Sequence, residues 1–343
     1  MGKSWPALLL ILSACGLSSI QDPRATDEPP SDYFYTFQPL PSTYETSADP
    51  LADTRVELGR MLFFDPRLSA SKTISCASCH DLERYGVDRK RVSIGHRGQT
   101  GTRNAPSVYN AAGYVAQFWD GRSPHVEDQA RHPILNPVEM AAGSESEVVA
   151  TLRAIPGYVT KFGQAFPRAT PPITYDNMVT AIGAFERRLV TPGRFDAFLR
   201  GDKSALDPLE REGFKRFVEI GCAGCHNGPE LGGHNYEKIG HLREWPKTND
   251  LGRFEVTRRP EDRLRFRVPG LRNVAETQPY FHDGSISTLG EAVATMSEYQ
   301  LSRRLTHEEQ RAILAFLRAL TGELPRPLIE RPELPMTPAE LEL

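Results

Sequence analysis

A mainly α fold in two domains, with long irregular loops between its helices, is predicted by three observations. The chain has 343 residues, roughly twice the length of a domain of about 150. The pattern Cys-x-x-Cys-His occurs once in each half, as Cys76-Ala-Ser-Cys79-His80 and Cys222-Ala-Gly-Cys225-His226. Helix start signals followed by apolar residues at helical spacing recur from the middle of the chain to its end, separated by stretches containing Gly and Pro.

At the N-terminus Lys3 is basic, Ala7 to Leu12 are apolar, and Leu12-Ser13-Ala14-Cys15 follows. A run this short reads as a secretory signal and not as a membrane span. The four-residue string resembles a bacterial lipobox, in which cleavage precedes the cysteine. The expectation is a signal peptide over residues 1–14 and a lipid on Cys15, placing the protein in the periplasm with only that lipid in a membrane. Residues 15–50 are rich in Ser, Thr, Pro and Asp without sustained periodicity. They read as a lipid-anchored tether, flexible in its first half.

Ser144-x-x-Glu147 is a helix-opening signal ahead of Val148, Val149, Leu152 and Ile155, and Pro156-Gly157 stops that run. Met178, Ile182, Phe185 and Leu189 recur at helical spacing before Pro192-Gly193. Asp207-Pro208 starts a helix whose Phe214, Phe217 and Val218 face a core just ahead of the second pentapeptide. Thr288-x-x-Glu291 caps a helix through Met296. Thr306-x-x-Glu309 caps another with Ile313, Leu314, Leu317 and Leu320, ended by Gly322 and Pro325. Gly201-Asp202 divides the halves, giving domains over residues 51–200 and 201–343.

The balance of 41 basic against 44 acidic residues leaves no field able to hold nucleic acid. Four of the five cysteines lie in the two pentapeptides and the fifth is Cys15, so none remains for a disulfide. Covalent haem attachment needs two thiols spaced to meet two vinyl groups and an imidazole that reaches iron from one face. Each pentapeptide supplies both. Two haem c groups are therefore expected, one on Cys76 and Cys79 with His80 on the iron, the other on Cys222 and Cys225 with His226 on the iron. A shared zinc site fits poorly, because the pairs lie far apart and each His abuts its second Cys. A redox dithiol would need a strand–helix setting that is missing.

What faces the other side of each iron decides its use: methionine suits electron transfer, whereas a second histidine or an open position suits a reactive centre. After His226 the methionines are Met296 and Met336, and the latter lies in a Pro-rich tail. Met296 is the candidate ligand; packing of its own helix is the alternative.

The stretches FFDPRLSASKTISCASCHDL, GHRGQTGTRNAPSVYN, FWDGRSPHVEDQARHPILNPVEM, GCAGCHNGPELGG and VPGLRNVAETQPYFHDGSISTLGEAV resemble the bacterial dihaem cytochrome c peroxidase family in content, order and approximate spacing. The resemblance implies two cytochrome c-like domains, a peroxidatic haem on His80 and an electron-transfer haem on His226 and Met296. It gives His96, in a Gly-rich loop, as a displaceable ligand on the open side of the first iron. A departing ligand needs such a loop. It gives Glu139 as the acid–base group, Gln129 as a supporting amide beside it, and Trp119 as an aromatic near the haems. It adds a calcium ion between the domains, on Asn104, Thr277 and Pro279, completed by water. His282 is expected at a haem propionate or behind an iron ligand, while His125, His132, His234, His241 and His307 have no expected role.

The implied function is reduction of hydrogen peroxide with electrons from a small cytochrome c or cupredoxin, by a homodimer. One rival is the related dihaem oxidase that makes a tryptophan-derived quinone cofactor in a partner protein. It carries Tyr at the position of Met296, and Tyr299, three residues on, keeps that reading open. A non-catalytic dihaem electron carrier is the other, and it would leave His96, Gln129 and Glu139 without purpose.

Overall fold

The computed structural model describes residues 1–2, 36–45, 49–246 and 248–342. Beyond its first two residues the signal segment, with Cys15 and the first part of the tether, lies outside the described residues. The fold is mainly α. The first half carries α1 (Ala52–Phe64), α2 (Val126–Leu135), α3 (Glu145–Arg153), α4 (Pro156–Ala165) and α5 (Tyr175–Glu186). Then follow α6 (Arg194–Leu199), α7 (Pro208–Glu219), α8 (Phe254–Thr257), α9 (Leu289–Leu301) and α10 (His307–Ala319). Among the described residues the named strands are one antiparallel pair, β1 (Tyr236–Lys238) and β2 (Arg265–Arg267), with Glu237 opposite Phe266.

Local chemistry sets most helix starts. Asp207, Thr288 and Thr306 each form a reciprocal capping box with the glutamate three residues on, and the Ser144 hydroxyl accepts from Glu147 N at 3.2 Å. Pro156 ends α3 as expected but also opens α4. At the first helical position proline sacrifices no hydrogen bond, and its φ is already helical.

Each domain is built on one crossed helix pair, α1 on α5 and α7 on α10. A Cβ on Gly59 would lie 1.9 Å from Ala181 O, and one on Gly213 would lie 1.9 Å from Ala312 O. Glycine is what lets these backbones touch. Four residues beyond each contact residue stands a phenylalanine. Phe63 and Phe185 pack with ring centroids 5.3 Å apart, as do Phe217 and Phe316. The two domains thus repeat one construction.

The chain ends are exchanged between the domains. Phe37, near the end of the expected tether, is buried in the second core beside Phe195 and Phe214; Leu40 is buried as well, and its N donates to Asp196 Oδ1 at 2.7 Å. In return Ile329 enters the first domain beside Phe63, Leu334 packs beside its other cluster, and Arg67 Nη1 donates to Pro335 O at 2.8 Å. α6, upstream of Gly201-Asp202, already packs with the second core through Phe195 and Phe198. Burial of apolar side chains, not the composition of the segment, decides where these residues sit.

Candidate active site and haem clefts

Each pentapeptide begins as a tight 3-10 turn, Cys76–Ser78 and Cys222–Gly224. His80 Nδ1 lies 3.2 Å from Gly86 O and His226 Nδ1 lies 3.2 Å from Leu231 O. Both contacts favour the tautomer with its proton on Nδ1, which leaves Nε2 free for iron. Burial lowers the pKa of both imidazoles, that of His226 to about 4, keeping them in the neutral form that binds metal. Burial raises the pKa of all four thiols. Among the described residues no group of three or more His, Cys, Asp or Glu could hold a metal ion.

A cavity of about 260 Å³ in the second domain is lined by Cys222, Cys225, His226 and, from α9, Met296. Tyr299 is not part of that lining. Its ring packs on Trp245 with centroids 4.9 Å apart, and its carbonyl receives Leu242 N and Arg243 N. The same cavity extends to Trp119, Asn104, Thr277 and Pro279, and to Pro106 in the first domain, whose carbonyl is a hydrogen-bond partner of His80.

Trp119 Nε1 donates to Asn104 O at 2.9 Å, and Asn104 N donates to His282 O at 2.7 Å. Asn104 Nδ2 is spent on the carbonyls of Lys90 and Arg91, which leaves Oδ1 uncommitted. Among the described residues no backbone donor serves Thr277 O or Pro279 O. Three free oxygens of this kind fit a hard cation. His282 also lines the cavity, stacked on Phe266 at 4.2 Å between ring centroids.

The first-domain site is built around a turn that follows α2. Asn136 N, Ala142 N and Met140 N donate back to His132 O, Ile134 O and Pro133 O, closing the turn onto the helix that carries Gln129. Glu139 stands half-buried at its end. Burial raises its carboxyl pKa, while attraction to Arg122 and a 2.7 Å hydrogen bond from Asn136 Nδ2 pull it down. Its charge also acts on Cys76 and Cys79, so it borders the first Cys-x-x-Cys-His turn.

The His96 loop docks against this turn. It is a small hairpin closed by an Ile94–Thr100 bridge and by Gly95 N donating to Gln99 O at 2.8 Å. His96 N donates to Glu139 O at 2.7 Å, and His96 Nδ1 is buried without a hydrogen-bond partner. The structure therefore brings His96 and Glu139 together. Gln129 shares α2 but is not hydrogen-bonded to Glu139; the amide that is belongs to Asn136, inside the Asn-Pro-Val-Glu string itself.

Sequence reasoning also missed Glu186, at the end of α5. It is buried, its pKa is pushed up to about 8 by desolvation and by Glu127, and its charge acts on Cys76. Of the histidines without an expected role, His125 caps α2 through Nδ1, which accepts from Asp128 N at 3.2 Å. His234 Nε2 lies 2.8 Å from Glu230 Oε2.

Two like helical domains, each presenting a Cys-x-x-Cys-His turn, define a dihaem protein. Residues 53–204 match the family model described as di-haem cytochrome c peroxidase. The cytochrome c551 peroxidase of Pseudomonas aeruginosa is 44% identical over 305 residues, 87% of each chain. That of Nitrosomonas europaea is 44% identical over 92% of this chain and 91% of its own. Among solved structures, a MauG-like protein associated with microbial copper homeostasis superposes with a TM-score of 0.75 at 31% identity, over 85% of this chain and 95% of that one. The chain belongs to the di-haem cytochrome c peroxidase family, and it is a peroxidase with two haem cofactors. No helix among the described residues is long and apolar enough to cross a membrane.

Proposed function

We propose that the chain reduces hydrogen peroxide to water at a haem attached through Cys76 and Cys79. The electrons come from a small cytochrome c or cupredoxin and enter at a haem attached through Cys222 and Cys225. One peroxide, two electrons and two protons yield two waters. The haems supply the iron at which peroxide is reduced and the store for electrons. His80 would hold the first iron, and His226 with Met296 the second.

The chain's own residues manage protons and access. The Glu139 carboxylate takes the proton of one peroxide oxygen and returns it to the departing oxygen, so that water and not hydroxide leaves. Gln129 hydrogen-bonds peroxide from α2, and Asn136 holds the carboxylate at 2.7 Å. His96 would be the displaceable ligand of the first haem, on a loop whose movement would open that haem to peroxide. Trp119 is the aromatic near the haems, and a calcium ion on Asn104, Thr277 and Pro279 braces the domain junction. The protein works in the periplasm as a homodimer, anchored by lipid on Cys15.

One observation carries this reading: a half-buried glutamate with a raised pKa lies against the loop that bears His96. The test is steady-state peroxide consumption with reduced cytochrome c as donor, after pre-reduction. Glu139→Gln should cut turnover at least about a hundredfold while both haem spectra persist. Full activity in that variant, or no turnover by the unaltered protein, overturns the proposal.

A further inference from the structure

Two arginines are almost fully buried in the second domain, and only one is neutralised. Arg272 grips Asp196 with both terminal nitrogens, each contact 2.9 Å long. Arg267, 2% exposed, reaches no carboxylate among the described residues. Its Nε donates to Phe118 O at 3.3 Å, its Nη1 donates to Val268 O at 3.4 Å, and its guanidinium lies 4.2 Å over the Tyr114 ring. Two long bonds to neutral carbonyls, one aromatic face and a hydrogen bond with the neutral Tyr114 hydroxyl bring no negative charge to a desolvated cation, and a buried charge calls for an anion nearby.

Its surroundings say which anion. Arg267 lines the cavity that holds Cys222, His226 and Met296. Two residues further along the chain, Pro269 turns its carbonyl to the His226 ring. Arg267 N donates to Trp119 O at 2.8 Å, so the charge stands where the first domain meets the second cleft. The haem read into that cavity carries two propionate carboxylates. A guanidinium matches a carboxylate as a two-pronged donor.

We propose that Arg267 is the counter-ion of a propionate of the second haem, a positioning residue that orients that haem and holds its reduction potential up. The inference rests on the electron-entry haem occupying this cavity. A cation beside the propionate offsets negative charge near the iron, so adding an electron becomes easier. Removing the cation lowers the potential without touching either thioether bond or either iron ligand.

The test compares the intact dihaem protein with its Arg267→Lys and Arg267→Gln variants. Pyridine haemochrome absorbance first counts the haems; fewer than two in the unaltered protein overturns the underlying reading and the inference with it. With two haems present, potentiometric titration should show the Met296 haem shifted to lower potential in R267Q and close to its original value in R267K. The first haem should be unchanged in both. An unshifted second haem in R267Q overturns the inference and leaves the haem assignment standing. Should R267Q not accumulate, R267K decides alone. Lysine cannot reproduce the two-pronged contact, so the propionate bending band of the second haem in the resonance Raman spectrum must move; an unmoved band overturns the inference.

Discussion

The backbone N–H of His96 donates to the carbonyl oxygen of Glu139 at 2.7 Å. The loop proposed to cover the first iron is thus fastened to the residue proposed to move protons there. Nδ1 of the His96 side chain has no partner among the described residues. Beside it Gly95 fits tightly, because a Cβ there would lie 2.1 Å from Val138 O.

Gly95→Ala should therefore lift the loop from the Asn136–Glu139 turn. Its measurable result is a first haem that is high-spin by electron paramagnetic resonance in the fully oxidised protein, before any electron reaches the second haem. A spectrum identical to that of the unaltered protein would show that backbone docking does not hold His96 in place.

Glu139 must be ionised to accept a proton, and burial raises its pKa while Asn136 opposes that rise. Activity should then increase with pH along an acidic limb set by Glu139. Asn136→Ala removes a hydrogen bond that favours the charged form. The limb should move to higher pH by about one unit, the size expected for one charge-assisted hydrogen bond. A limb that stays put in N136A would assign it to another group.

Glu186 makes a stability prediction. Its folded pKa of about 8 lies above the unfolded value, so its contribution is fully present below the unfolded pKa and is lost as pH rises through the folded one. Glu186→Gln, which does not titrate, should match the unaltered holoprotein in acid. It should be more stable above pH ~8, by the order of a few kcal/mol. Thermal unfolding across that window tests it, and an advantage independent of pH would contradict it.

The two glycine contacts predict parallel losses. Gly59→Ala and Gly213→Ala each place a methyl group 1.9 Å from a carbonyl oxygen on the facing helix. Each should cost about 3 kcal/mol or more, because a rigid helix pair must separate. Gly163→Ala, in α4, meets nothing within 4 Å and should be neutral or stabilising by about 1 kcal/mol. Denaturant unfolding of the three variants measures all of this, and a small loss at Gly59 or Gly213 would mean that the helices slide apart easily.

The helices legible in advance were those with local signals, such as α9 and α10 behind their capping boxes. Among those that were not legible, three show why. α1 buries Val56, Leu58, Met61, Leu62 and Phe63 on more than one side, so no clean apolar stripe marks it. α2 contains Pro133, which reads as a break, and α4 opens on Pro156, which reads as a stop. At the active site, Glu139 and His96 were named through resemblance alone, since nothing local separates either from other residues of its kind. Asn136 passed unnoticed because its bond to Glu139 exists only once the turn after α2 is closed.

By itself the sequence determined what neighbouring residues can settle: two Cys-x-x-Cys-His turns, a histidine fixed next to each cysteine pair, and the caps that start the later helices. Tertiary structure alone decided which distant groups meet. It selected Met296 over Tyr299 for the second cavity, built Phe37 into the core of the far domain, and left Arg267 buried without a carboxylate among the described residues while Arg272 received one. The reason is physical. Caps and pentapeptides are satisfied within a few residues of backbone, whereas burial and charge pairing depend on which surfaces the packed helices bring together.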